Sequence, residues 1–320
     1  MNSTFGAAAA PELARPALPP AKPLAGTLFT LVRREFWEHR YLWLAPLVVE
    51  GLLLTLFAVL GHGHLNIRDE DFHGVQDVES AKVAAFTIVQ WVATVPLWLV
   101  MFTTLSYYTL DCLYAERKDR SILFWKSLPV SDGLTVTSKL LTALVVVPLG
   151  IFALALVGDL LLSGIIGVRM ATGNLPAVVA WSTLEWLRAE VTLLLIVVLA
   201  ALWYAPVAGA LMLISAAAQR SPFLWATVPL LVAPLLERIA IGSHHVWDFI
   251  RYRSDGIWHT LLEGADLQLV THDSVRPLGS LLQTLNFGRA FTDTNLWLGV
   301  AATVLFVWLA VRVRRYRDDT

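Results

Sequence analysis

A single cysteine, Cys112, stands in a chain of 320 residues, so no internal disulfide and no cysteine-built metal site can form. Charge is scarce too. Asp, Glu, Lys and Arg make up 15% of the residues and 57% are hydrophobic, with a mean hydropathy of +0.63. Soluble domains carry about 25% charged residues, so the composition excludes an ordinary soluble domain and points to an all-α polytopic membrane protein. Catalytic signatures are missing as well. There is no G-x-x-x-x-G-K-[ST] loop for ATP hydrolysis, no H-E-x-x-H zinc motif and no G-x-S-x-G nucleophile turn. The basic residues lack the aromatic interleaving of a nucleic-acid face, and no nucleic-acid partner is expected. Residues 1–25 are rich in Ala and Pro and lack the apolar core of a signal peptide, and so read as a disordered cytoplasmic tail.

What is present is a succession of long apolar runs in one domain, residues 26–320. Crossing the hydrocarbon takes about 20 apolar residues, and that length predicts six transmembrane helices near 41–60, 84–109, 138–162, 191–215, 221–241 and 294–312. The first five contain proline: Pro46, Pro96, Pro148, Pro206, and Pro229 with Pro234. Such residues kink a helix where neighbours cover the freed carbonyl. Ala205 and Gly209 have small-xxx-small spacing and are read as packing within the bundle, with a dimer seam as the alternative. Segment 172–190 is mixed, with Glu185, Arg188 and Glu190, and is expected to be an interfacial or re-entrant lead-in. Residues 26–40 place Leu28, Leu31, Val32 and Phe36 at helical spacing against Arg33, Arg34, Glu35, Glu38 and Arg40, the pattern of an interfacial helix. Residues 242–293 read as short amphipathic helices on the outer face.

With both termini inside, the inner segments hold fifteen of the twenty-four Lys and Arg residues, as positive charge on the cytoplasmic side requires. The expected location is the cell (inner or plasma) membrane, with the lipid bilayer itself as a partner.

Glu50 lies mid-way along the first span. An ionised carboxylate there is expensive, so it faces protein or water or is protonated, and it serves either in a substrate path or as a hydrogen bond between helices. Asp159, and Glu237 beside Arg238, lie nearer the outer ends of their spans and are expected to reach the interface as anchors. His62, His64 and His73 with Asp69, Glu70 and Asp71 have no fixed ligand spacing and read as loop residues.

Between the second and third spans lies a charged island, Asp111–Lys139. Arg117, Lys118, Arg120 and Lys126 mix with Asp111, Glu116 and Asp119, followed by the apolar run Ile122, Leu123, Phe124 and Trp125. Leu128-Pro129 ends this helix and Ser131-Asp132 begins the next. The string RSILFWKSLPVSDGLTVTSKLL, Arg120–Leu141, resembles the membrane subunits of type-2 ABC exporters. The resemblance implies that the island is a cytoplasmic coupling helix contacting a separate P-loop ATPase, through Arg120, Phe124, Trp125, Lys126, Ser127, Leu128 and Pro129. It further implies a permease working with a second permease subunit, as homo- or heterodimer, with ATP and Mg held on the partner ATPase and no cofactor on this chain. The alternatives are a membrane scaffold or assembly factor, and an intramembrane enzyme using Glu50, Asp159 and Glu185.

Overall fold

Lipid cannot satisfy backbone N–H and C=O groups, so long apolar runs must close their hydrogen bonds internally, as helices. The computed structural model describes residues 24–60, 78–127, 130–172, 183–262, 270–271, 274–275 and 285–316. Leu128, Pro129, the loop histidines His62, His64 and His73, and nearly all of the N-terminal tail fall outside them. The elements are α1 (Leu24–Glu38), α2 (Tyr41–Leu60), α3 (Val78–Asp111), α4 (Tyr114–Lys118), α5 (Ser121–Ser127) and α6 (Asp132–Leu141). A π-helical turn, Thr142–Val146, leads into α7 (Val147–Ala171), followed by α8 (Thr183–Ala217), α9 (Pro222–Ala240) and α10 (His245–Leu262). A two-residue antiparallel hairpin, β1 (Val270–Thr271) with β2 (Ser274–Val275), precedes α11 (Phe287–Thr292) and α12 (Thr294–Tyr316).

Among the described residues, five helical runs are long and apolar enough to cross a membrane: α2, the continuous run from α6 through α7, α8, α9 and α12. The chain is a polytopic helical membrane protein. The third span is longer than its apolar run suggested, because α6 joins α7 through the π turn. Pro148 explains the join: it has no N–H for the carbonyl of Leu144 and its ring crowds that carbonyl. The widened turn lets Val147 donate instead to Thr142, five residues back. The expected lead-in before the fourth span is not a separate element where it is described, since residues 183–190 are the first turns of α8.

Helices α8 and α12 pack most extensively against each other. Gly209 permits it: a Cβ there would stand 3.3 Å from Phe306 Cβ and Thr303 Cγ2. The small-residue seam therefore serves packing inside this chain. The main core gathers Leu42, Leu97, Leu105, Tyr108, Val147 and Met212. A second core joins α8 to α10–α12 around Trp203, Leu261 and Leu296. There Trp203 Nε1 donates to the carbonyl of Arg253 at 3.0 Å, and the Arg253 guanidinium donates back to the carbonyl of Trp203 at 2.8 Å. Trp203 stands fourteen residues from the end of α8, about 21 Å at 1.5 Å per residue, so α10 docks well down the bundle. By contrast, the apolar stretch of α9 buries none of its residues in this chain.

Candidate functional site

The end of the bundle that carries α1, α4 and α5 is held by charges. Lys139 on α6 is 1% exposed, and its Nζ donates to Glu35 Oε1 at 2.8 Å and pairs with Glu116 Oε1 at 3.1 Å. Arg314 on α12 completes the set, with Nη1 at 2.5 Å from Glu116 Oε2 and Nε at 3.0 Å from Asp132 Oδ1. Tyr108 on α3 donates to Glu35 Oε2 at 2.9 Å. Five helices, α1, α3, α4, α6 and α12, thus meet in one buried network. Burial opposes ionisation of Glu116, but Lys139 and Arg314 outweigh it and hold the carboxyl below its usual 4.5. His39 flanks the network with Nδ1 at 3.4 Å from Glu35 Oε2. Its burial, with Lys139 assisting and Glu35 opposing, lowers its pKa from 6.5.

This arrangement corrects one expectation. The polar side of α1 is not all turned to solvent: Arg33 and Glu38 are exposed, but Glu35, only 1% exposed, turns into the bundle.

Helices α4 and α5 form a short elbow on this base. Ser215 Oγ at the end of α8 accepts from the N–H groups of Leu113 and Tyr114 at 3.1 and 3.0 Å. Arg117 donates to the carbonyls of Ser215 and Ala218 at 2.7 and 2.8 Å. At the bend, Arg120 adopts φ 61°, the left-handed region, and Asp119 Oδ1 accepts from the N–H of Ser121 at 3.0 Å. On α5, Ile122 is buried while Leu123 and Phe124 are 62% and 59% exposed. Trp125 turns back beneath the Arg34 guanidinium, whose carbon stands 3.3 Å from the ring centroid. Ser127 Oγ donates to the carbonyl of Phe124 at 2.7 Å, and Lys126 is half-buried. Across the gap, Ser131 caps α6 by accepting from the N–H of Leu134 at 3.2 Å, as its residue type predicts.

A second acidic group occupies the far half of the bundle. Asp159 stands twenty residues beyond Lys139 along the same helical run, about 30 Å away. It is 3% exposed and feels the charges of Glu190 on α8 and Glu50 on α2. Glu50 lies against Gly158, filling the space a Cβ would take. The expectation that Asp159 reaches the interface as an anchor is therefore overturned. Glu237 also does something else, accepting from Ser243 Oγ at 2.6 Å and from the N–H groups of His245 and Val246 at 2.9 and 2.7 Å, so that it caps α10. A cavity of about 340 Å³ between the π turn and α8, lined by residues such as Leu144, Pro148 and Leu202, is apolar and carries no chemistry.

The fold and these two clusters define a helical membrane protein with a charged joint at one end. No protein-family model, no curated protein and no solved structure matches the chain.

Proposed function

We propose that the chain is the permease subunit of an ATP-driven exporter, with six spans, the sixth being the 84–109 part of α3, and with both termini in the cytoplasm. A separate P-loop ATPase holding ATP and Mg docks on α5, and a second permease subunit completes the translocation path. The observation that carries this reading is the elbow itself. Leu123 and Phe124 form an exposed apolar face on a seven-residue helix, whose base is tied to α1, α6, α8 and α12 through Glu116, Arg117 and Arg34. A force applied to that face passes into several helices at once. Apolar side chains of this size in water suit a docking surface better than a solvated loop.

The test is copurification from membranes of the native host, with bound chains identified by mass spectrometry. A P-loop ATPase accompanies the wild type and is lost with Phe124→Asp, which alters an outward side chain and leaves the fold intact. Trp125→Asp is a poorer probe because it also removes the Arg34 stack. If the same ATPase remains bound to Phe124→Asp, the docking assignment is wrong; if none accompanies the wild type, the exporter reading gives way to a scaffold.

A further inference from the structure

Helix α1 buries one side, with Leu31 and Glu35 turned into the bundle, and leaves the other uncovered. On that outer side Phe29 and Trp37 are 69% and 59% exposed, and Phe36 is exposed as well. Residues 29, 33, 36 and 37 share one face at 3.6 residues per turn, which sets the exposed Arg33 among three aromatic rings. Exposed Arg40 follows at the junction with α2. Neither arginine has a carboxylate partner among the described residues, because both acids of α1 are engaged elsewhere: Glu35 with Lys139, and Glu38 with Arg34 at 2.8 Å.

The same face runs on into the lipid-facing surface of the first span. Phe36 packs against Trp43 of α2 with ring centroids 4.6 Å apart, and the membrane-crossing stretch of α2 begins at Tyr41, one residue beyond Arg40. Leu44, Leu47 and Val48 then carry the exposed apolar surface into the span. The aromatic rings and the two arginines therefore stand at headgroup depth. Aromatic side chains favour that depth, and a guanidinium there meets lipid phosphate, which it grips through two parallel N–H donors. A phospholipid satisfies both halves of the face at once, its acyl chains taking the rings and its phosphate the charge.

We propose that the outer face of α1 is a binding site for anionic phospholipid, with Arg33 and Arg40 holding the phosphates and Phe29, Phe36 and Trp37 set against the upper acyl chains. A zwitterionic headgroup carries its own cation beside the phosphate and leaves the arginines partly unmatched, so the site selects lipids of net negative charge. The site is independent of the exporter reading, because lipid binding needs neither nucleotide nor ATPase.

Native mass spectrometry of the purified full-length protein in mild detergent, titrated with phosphatidylglycerol or with phosphatidylcholine, tests this. The wild type is expected to bind phosphatidylglycerol more tightly. Arg33→Gln and Arg40→Gln each weaken that binding about fivefold and leave binding of phosphatidylcholine unchanged. Arg315→Gln, which alters an exposed arginine on α12, keeps the preference. Equal binding of the two lipids by the wild type overturns the site, as does an undiminished preference in the double variant Arg33→Gln/Arg40→Gln. A loss of the same size in Arg315→Gln overturns it too, by assigning the preference to overall positive charge, and displacement of the lipid by glycerol 3-phosphate does so by assigning a free anion.

Discussion

Two groups of buried carboxylates lie about 30 Å apart in one bundle, and they differ in how their charge is met. Glu35 and Glu116 are neutralised within the chain, by Lys139 and Arg314, with Tyr108 occupying a remaining lone pair. Their geometry is closed and every helix end that contributes to them is fixed. Glu50, Asp159 and Glu190 are buried too, with a glycine making room for the first of them, but none has a cation partner among the described residues. Burial without a cation disfavours the ionised carboxyl, so such a group is neutralised by a proton or by something bound.

The largest effect comes from opening the closed group. Lys139→Met leaves Glu35 buried without its lysine and Glu116 dependent on Arg314, and loss of one partner from such a pair costs about 3–5 kcal/mol. The variant is expected to unfold at markedly lower temperature in detergent or to fail to accumulate. Glu50→Gln, a change of the same size in the open group, removes no ion pair and is expected to leave the unfolding temperature almost unchanged. A comparable loss in both variants would erase the distinction between the groups.

A middle-sized effect tests whether Glu50 is held by shape. Gly158→Ala adds a methyl group where the Glu50 carboxylate lies, and overpacking of this kind costs about 1–3 kcal/mol. In a Glu50→Ala background the clash is gone, and the same substitution stabilises by up to about 1 kcal/mol through helix propensity. The informative quantity is the change of sign between backgrounds, read by thermal unfolding of all four proteins. Additive effects would place the Glu50 side chain elsewhere.

These contrasts were only partly legible in the sequence. Apolar length located five spanning helices among the described residues, and Ser131 announced its cap, because such signals are local. The break after α5 and the exposed Leu123-Phe124 face belong to the same class. The closed network is different: Glu35 meets Lys139 104 residues later, and Glu116 meets Arg314 198 residues later. Each of these residues on its own resembles an ordinary interfacial charge. Lys139, set at the start of an apolar run, was the one available hint. Among the uncompensated carboxyls Glu50 was recognisable from its depth in a span, but Asp159 and Glu190 lie near span ends by sequence, and their burial follows from the packing of α7 against α2 and α8.

The smallest effect is a pH dependence expected of the closed group. His39 is packed edge-on against the rings of Tyr41 and Tyr108, with Glu35, Glu38 and Lys139 as the charges bearing on it. Its pKa in the folded protein lies below 6.5, chiefly through burial. Between that lowered value and 6.5 the unfolded chain binds the extra proton, so stability rises with pH across the window and is lost as pH falls from 6.5 through the folded value. Glu116 acts in the same direction at more acid pH, its contribution present above 4.5 and lost as pH drops through its depressed pKa. Unfolding temperatures measured from pH 8 down to pH 5 should therefore stay level in the wild type to about 6.5 and decline below it, and the decline just below 6.5 should be missing in His39→Gln. An identical decline in both proteins would show that the titrating group lies outside the joint formed by α1, α3 and α6.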